Sequence, residues 1–281
     1  MQRFSAFHPL SSFLYFAAVI CITMFSRNPL VIALSFFGAA LFSVSLKAFH
    51  GVWMYLLIFL LTTLTNPLFS HNGATPLFFL NGNPITLEAI IYGAYLGGMI
   101  AATLLWFSCY NKVITTDKFL CLFGTIMPKA ALVVSMALRL VPRFIADGRN
   151  MVEIQNSIDS GKGLKKKIKK HVAVFSCLIT RSLEGAVEQT DSMKARGYGE
   201  RKRVGFSRFR FAVSDIVLIS FTAACFMFIV FFGGALDFNY YPKTDDLFLN
   251  PAYLICIVFF ILPSVINLWS EIKWKFWISK I

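Results

Sequence analysis

The residues whose types and spacing suit chemistry are concentrated between Arg181 and Gly199, in the stretch RSLEGAVEQTDSMKARGYG. Val172, Phe175, Ile179, Leu183, Ala186, Thr190 and Met193 recur at steps of three and four, which predicts one apolar stripe on a helix. Arg181, Glu184, Glu188, Asp191 and Lys194 fall on the other face, with opposite charges three to four residues apart. The helix is predicted to stop at Ala195-Arg196-Gly197, because Gly197 takes a positive φ at no steric cost. Arg196 then stands beside the negative end of the helix dipole, at the tip of a rod. A guanidinium held there suits recognition: it can enter a groove on a partner protein. The plainer reading of Arg196-Gly197 is an ordinary helix C-cap.

Bond-making chemistry finds less support. His8, His50, His71 and His171 fall in four different segments, and neither HExxH nor a Cys/His cluster occurs, so no metal site is expected. GxxxxGK[ST] and GxSxG are both missing, which gives no sign of ATP hydrolysis by this chain and predicts neither a catalytic residue nor a cofactor. Glu88 and Asp215 lie near the ends of apolar runs, so the buried carboxylates of an ion-coupled pump are not expected. Cys21, Cys109, Cys121, Cys177, Cys225 and Cys256 are scattered without a CxxC pair and read as buried small hydrophobes. By elimination, a scaffold or coupling subunit is favoured over an enzyme or a self-contained carrier.

The elements that must position this stretch follow from composition. Of 281 residues 57% are hydrophobic, 31 are Phe, and the mean hydropathy is +0.67, which predicts an all-α polytopic membrane protein. The formal charge is +13, and it is unevenly placed. Residues 112–210 hold 20 of the 27 Lys and Arg but 8 of the 14 acidic residues, a surplus of 12. One basic block between two greasy halves predicts a cytoplasmic module at 112–210, with membrane helices at 1–111 and 211–281. The membrane accounts for the basic charge, and no nucleic-acid partner is expected.

Apolar runs are read at Leu10–Phe25, Leu30–Leu46, Val52–Phe69, Leu87–Cys109, Phe211–Ala235 and Leu249–Trp269, about six spans in all. The first is short and follows no cleavable signal. Ser70–Thr86 has no Lys or Arg and reads as a loop, with a re-entrant or interfacial piece at Leu77–Leu80. Gly93, Gly97 and Gly98 give the small-residue spacing of close helix packing. Met127–Val141 is too short to span and is read as a helix lying in the membrane interface or facing a partner, the partner-facing reading favoured, with core or a seventh span as alternatives. Pro142 is expected to kink that helix without ending it. A second helix begins in the run Lys165, Lys166, Lys167, Lys169 and Lys170, a solvated or lipid-facing cluster, and reaches Arg196. With the basic block inside, both termini fall inside too, and only Arg27 conflicts unless the first hairpin is shallow. Trp269, Trp274 and Trp277 read as interfacial anchors.

Leu183-Glu184 and Asp191 through Gly199 resemble the Ala-Arg-Gly signature of the transmembrane T component of energy-coupling factor (ECF) transporters, the CbiQ-like family. Asn66–Phe69, Asn81–Thr86, Thr116–Phe119 and Ser135–Phe144 are similar to Firmicute-type members, so the likeness covers nearly the whole chain. The resemblance implies a non-catalytic plasma-membrane subunit that joins two ABC-type ATPases, which bind the ATP, to a small substrate-binding S component. It implies that Ala195, Arg196 and Gly197 dock one ATPase and that ATP-driven motion releases a vitamin or metal ion inward. The first such tip is expected near Ser157, Ile158 and Asp159, where this chain has no Arg. Met136, Leu140, Leu183 and Met193 are the expected S-component-facing residues, as an adaptable surface. The rival functions are a self-contained membrane carrier or channel, and a membrane-embedded enzyme.

Overall fold

The computed structural model describes residues 4–46, 52–70, 73–80, 83–124, 127–158, 164–199, 211–232, 238–241 and 250–278. The helices are α1 (Pro9–Phe25), α2 (Pro29–Ser45), α3 (Val52–Phe69), α4 (Leu87–Val113), α5 (Thr116–Gly124), α6 (Pro128–Ile158), α7 (Leu164–Ala195), α8 (Val213–Phe231) and α9 (Ala252–Ile278). Their starts are written locally. Pro9 and Pro29 open α1 and α2, where a missing N–H costs nothing, and His8 Nδ1 and Asn28 Oδ1 accept from the amides of Leu10 and Leu30. Thr86 caps α4 by accepting from the Ala89 amide at 3.3 Å.

Among the described residues, α4, α8 and Ala252–Phe276 of α9 are long and apolar enough to cross a membrane, while α1, α2 and Trp53–Phe69 of α3 are apolar but shorter. A 17-residue helix such as α1 spans ~26 Å against a hydrocarbon core of ~30 Å. The chain is an all-α, multi-pass membrane protein with one small hairpin. That hairpin corrects the reading of 70–86 as a loop: β1 (Pro76–Leu80) pairs antiparallel with β2 (Asn83–Thr86), Phe79 opposite Pro84 and Leu80 opposite Asn83. The reason was legible, since Asn-Gly between two short apolar runs is a strong hairpin signal.

Residues 1–119 and 209–281 form one compact unit and Leu120–Arg208 a second. In the first unit, Phe4, Tyr15, Phe16, Phe42, Trp106, Phe259 and Phe260 are fully buried. A relay of hydrogen bonds crosses this core from Trp106 Nε1 to Ser35 Oγ (3.0 Å), on to Thr23 Oγ1 (2.7 Å) and then to the Val19 carbonyl (2.8 Å). Without water to satisfy them, such groups must pair with one another. Gly93 and Gly97 let α3 lie directly on α4: a Cβ on Gly97 would stand 2.8 Å from the Phe59 carbonyl oxygen, and one on Gly93 2.9 Å from that of Thr63. The turn between α1 and α2 is tied down by tyrosines. Tyr240 Oη donates to the Arg27 carbonyl (2.9 Å), Tyr95 Oη to that of Ser26 (3.0 Å), and Asn28 Nδ2 donates to Tyr253 Oη (2.8 Å).

Two readings of buried groups change. Glu88 and Asp215 do sit in first helical turns, yet each is only 3% exposed, because neighbouring backbone amides supply the solvation that water otherwise would. Cys109, Cys225 and Cys256 are buried as expected, whereas Cys121 is half-buried and Cys21 and Cys177 are exposed.

Candidate docking site

The second unit is built almost entirely from α6 and α7, of 31 and 32 residues, each ~47 Å long. They run antiparallel, since position numbers rise on one as they fall on the other. Lys170 Nζ donates to Asn156 Oδ1, a Cβ on Gly148 would meet Leu178 Cδ1 at 3.6 Å, and Arg181 Nε faces Asp147 Oδ2 at 3.6 Å. The last is the one ion pair among the described residues, so Arg181 reaches across to α6 instead of pairing along its own helix. Pro142 leaves α6 continuous. Leu140 and Phe144, on either side of it, both line a cavity of about 80 Å³ together with Leu178, Ser182 and Ala186 of α7.

α7 ends as its sequence predicts. The Tyr198 amide donates to the Met193 carbonyl (3.1 Å) and the Gly197 amide to that of Lys194 (2.8 Å), with Gly197 at φ +79°. These two bonds make a Schellman motif, in which Arg196 is the last residue before the reversal. Its amide donates to the Ser192 and Met193 carbonyls at 3.3 and 3.2 Å, so the residue that carries the cation is bonded back into the helix. Ala195, Arg196 and Tyr198 are exposed. A positive side chain at this pole is favoured by the dipole and free to meet a partner.

The expected first tip lies at the end of α6. Ser157 and Ile158 are its last two residues and both are exposed, with Ser157 Oγ donating to the Glu153 carbonyl at 3.1 Å. Asp159 lies outside the described residues, as do the side chains of Lys165, Lys166 and Lys167. Counted from the Asp147–Arg181 pair, α6 extends 11 residues to Ile158 and α7 14 residues to Ala195, in opposite directions. The two helix ends therefore stand up to about 40 Å apart, at opposite poles of the helix pair.

Between the poles the pair has little core. Val174 is its one buried hydrophobic residue among those described. On α7, Ile168, Val172, Phe175, Ile179, Leu183 and Val187 are all exposed and, at ~100° per residue, fall within one stripe. Glu184, Glu188 and Asp191 occupy the opposite side. On α6, Val134, Leu138, Val141 and Ile145, spaced 4, 3 and 4, form a second exposed stripe. Sequence reasoning read Met127–Val141 as partner-facing, which includes three of these four, but singled out Met136 and Leu140 for their adaptable side chains. Met136 is half-buried and Leu140 turns into the cavity against α7, away from the exposed stripe. Leu183 lies on the α7 stripe, and half-buried Met193 supplies the carbonyl that closes the cap. The arrangement can bind apolar surface along its length and present a cation at one pole. It holds no group of three or more His, Cys, Asp or Glu side chains able to ligate a metal ion among the described residues.

Comparison with known proteins places these features in context. A family model described as CbiQ, cobalt transport protein, matches residues 5–205, which includes both α6 and α7. No curated protein gives a significant match to the chain.

Proposed function

The chain belongs to the CbiQ cobalt transport protein family, and from that premise we propose that it is the transmembrane coupling subunit of an ECF-type importer. In this reading the second unit works at two kinds of surface. Arg196, presented by the Schellman cap, enters a groove on one ABC-type ATPase, while the end of α6 at Ser157-Ile158 and Asp159 meets the second ATPase. The exposed stripes of α6 and α7 carry the substrate-binding subunit. ATP-driven closure of the ATPases moves the two helix ends, and the stripes transmit that motion to the substrate binder, which releases a vitamin or metal ion into the cell. Both termini and the helix pair are cytoplasmic, with about six apolar helices anchoring them. This chain itself binds neither ATP nor cargo.

One observation carries the reading: a long antiparallel helix pair keeps its apolar stripes uncovered and ends in opposite, exposed poles. A helix pair that worked alone would bury those stripes against each other, since six large side chains left in water forgo ~1.5–3 kcal/mol each. Two ATPase partners also need two separated sites, which an antiparallel pair supplies.

Affinity purification of the full chain in mild detergent tests the partners directly, because two ATPase chains and a small membrane protein are expected to co-purify. Arg196→Glu is expected to weaken ATPase assembly by 2 kcal/mol or more, ~30-fold, because a desolvated interfacial Arg is a frequent hot spot. The membrane fold should be unaffected. Transport by the chain reconstituted alone would refute the coupling role in favour of a carrier or channel, and undiminished assembly by Arg196→Glu would refute the docking role.

A further inference from the structure

One short segment at the start of the first unit ties together the two places where the chain leaves for the second unit and returns. The outgoing connection is α5, in which Lys118 stands two residues before Leu120, where the second unit begins. The returning connection is the start of α8, just after Arg208, where the second unit ends. Lys118 is only 5% exposed, and its Nζ donates to the Ser5 carbonyl at 2.6 Å. Three residues further on, the His8 amide donates to Asp215 Oδ1 at 2.8 Å. The same carboxylate accepts from Ser11 Oγ at 3.4 Å and, through Oδ2, from the Ala212 amide at 2.9 Å. The His8 ring stacks on Phe211 with centroids 3.9 Å apart.

The segment itself cannot drift. The Phe4 amide donates to Asn267 Oδ1 of α9 at 3.0 Å, and the fully buried Phe4 ring packs edge-on against Tyr15, Phe16 and Phe42. Residues 4–8 are therefore anchored in the core and hold one connection through Lys118 and the other through Asp215. Burial lowers the Lys118 pKa from its ordinary value, and no carboxylate among the described residues pairs with it. A lysine used only to fill this space would be better replaced by an apolar residue, since desolvating an amine without full pairing is costly.

We infer that Lys118 and Asp215 are positioning residues for coupling, holding the two connections at a fixed spacing through the segment Phe4–His8. The inference rests on the reading given under Proposed function. The chain passes between the two units twice, within α5 and just before α8, so work done on the second unit can reach the membrane helices along these two connections. If those connections move independently, part of the motion is lost in separating them. If both are clamped to one anchored segment, the motion is delivered to the first unit as a whole.

The test separates the clamp from its use. Spin labels on Asp117→Cys and Val213→Cys, both exposed positions flanking the clamp, report the spacing in the full chain in detergent, with Cys21, Cys121 and Cys177 changed to Ser. A narrow distance distribution is expected, broadened by Lys118→Met, which keeps most of the aliphatic length and removes the donor. Asp215→Asn, which replaces an acceptor facing the Ala212 amide with a donor, should also broaden it, and Lys118→Arg should restore it. In the reconstituted transporter, Lys118→Met is expected to raise ATP hydrolysed per substrate transported about fivefold, at the low end of coupling energies between sites, with complex yield unchanged. A merely structural role would lower yield and leave that ratio alone. An unchanged distance distribution in both loss variants, or an unchanged ratio despite broadening, overturns the inference. Failure of the unmodified chain to assemble with ATPases would instead sink the coupling reading, and the distance measurement would still decide the clamp.

Discussion

Gly197 offers the sharpest test of the idea that Arg196 works through a rigid presentation. Its φ of +79° lies in the left-handed region, where an ordinary L-residue costs ~1–2 kcal/mol. Replacement by Val imposes that cost on the capped conformation, in which the Tyr198 amide reaches the Met193 carbonyl and the Gly197 amide that of Lys194. Ala195, Arg196 and Tyr198 are exposed, so nothing packed on the tip opposes local fraying. The strain is then relieved by losing the cap, and global stability should change little. A cost of 1–2 kcal/mol lowers the capped-to-frayed equilibrium constant by a factor of roughly 5 to 30, which sets the upper bound on the loss of apparent affinity for a partner that needs the cap. Asn tolerates positive φ better than Val, so Gly197→Asn should fall between wild type and Gly197→Val. Titration of purified ATPase against the immobilised chain measures the affinity, and amide exchange at Tyr198 measures the cap. Unprotected Tyr198 with undiminished affinity would show that partner binding does not depend on the capped geometry, and the rigid-tip argument would fail.

Other perturbations probe the scaffold. Gly97→Leu puts a side chain where even a Cβ would stand 2.8 Å from the Phe59 carbonyl oxygen, so α3 must move off α4. The expected loss is ~1–3 kcal/mol, read as a lower unfolding temperature in detergent, and an unchanged midpoint would contradict the close approach. The start of α1 should weaken in mild acid. Burial lowers the His8 pKa from 6.5, with the Asp215 carboxylate opposing in part. The folded chain thus takes up the proton less readily than the unfolded chain, and stability falls as pH drops below 6.5 toward the folded value. His8→Asn keeps a cap acceptor without titrating, so it should flatten that dependence in thermal unfolding between about pH 8 and pH 5.

Much of this protein was determined by sequence alone because the deciding physics is local. Six apolar runs became helices because an uninterrupted greasy segment has no other way to satisfy its backbone in a membrane. The stop at Arg196-Gly197 followed from the freedom of a residue without Cβ, and the Gly93/Gly97 spacing announced a close helix neighbour before the neighbour was known. The β1–β2 hairpin was equally local, although the segment's Asn, Gly and Pro content was read as a loop. Tertiary structure decided what spacing cannot encode. Periodicity shows that a helix has an apolar stripe but not whether a neighbour covers it, so Leu140 was grouped with a surface that Val134, Leu138, Val141 and Ile145 occupy. Charge spacing along α7 suggested pairs within the helix, yet Arg181 found Asp147 on α6. Nothing near Lys118 or Asp215 in the chain foretold that both would be held by residues 4–8, because those hydrogen bonds join positions 113 and 207 residues apart. Contacts at that separation exist only once the chain has folded, and a linear pattern records which groups need partners without recording which partners they obtain.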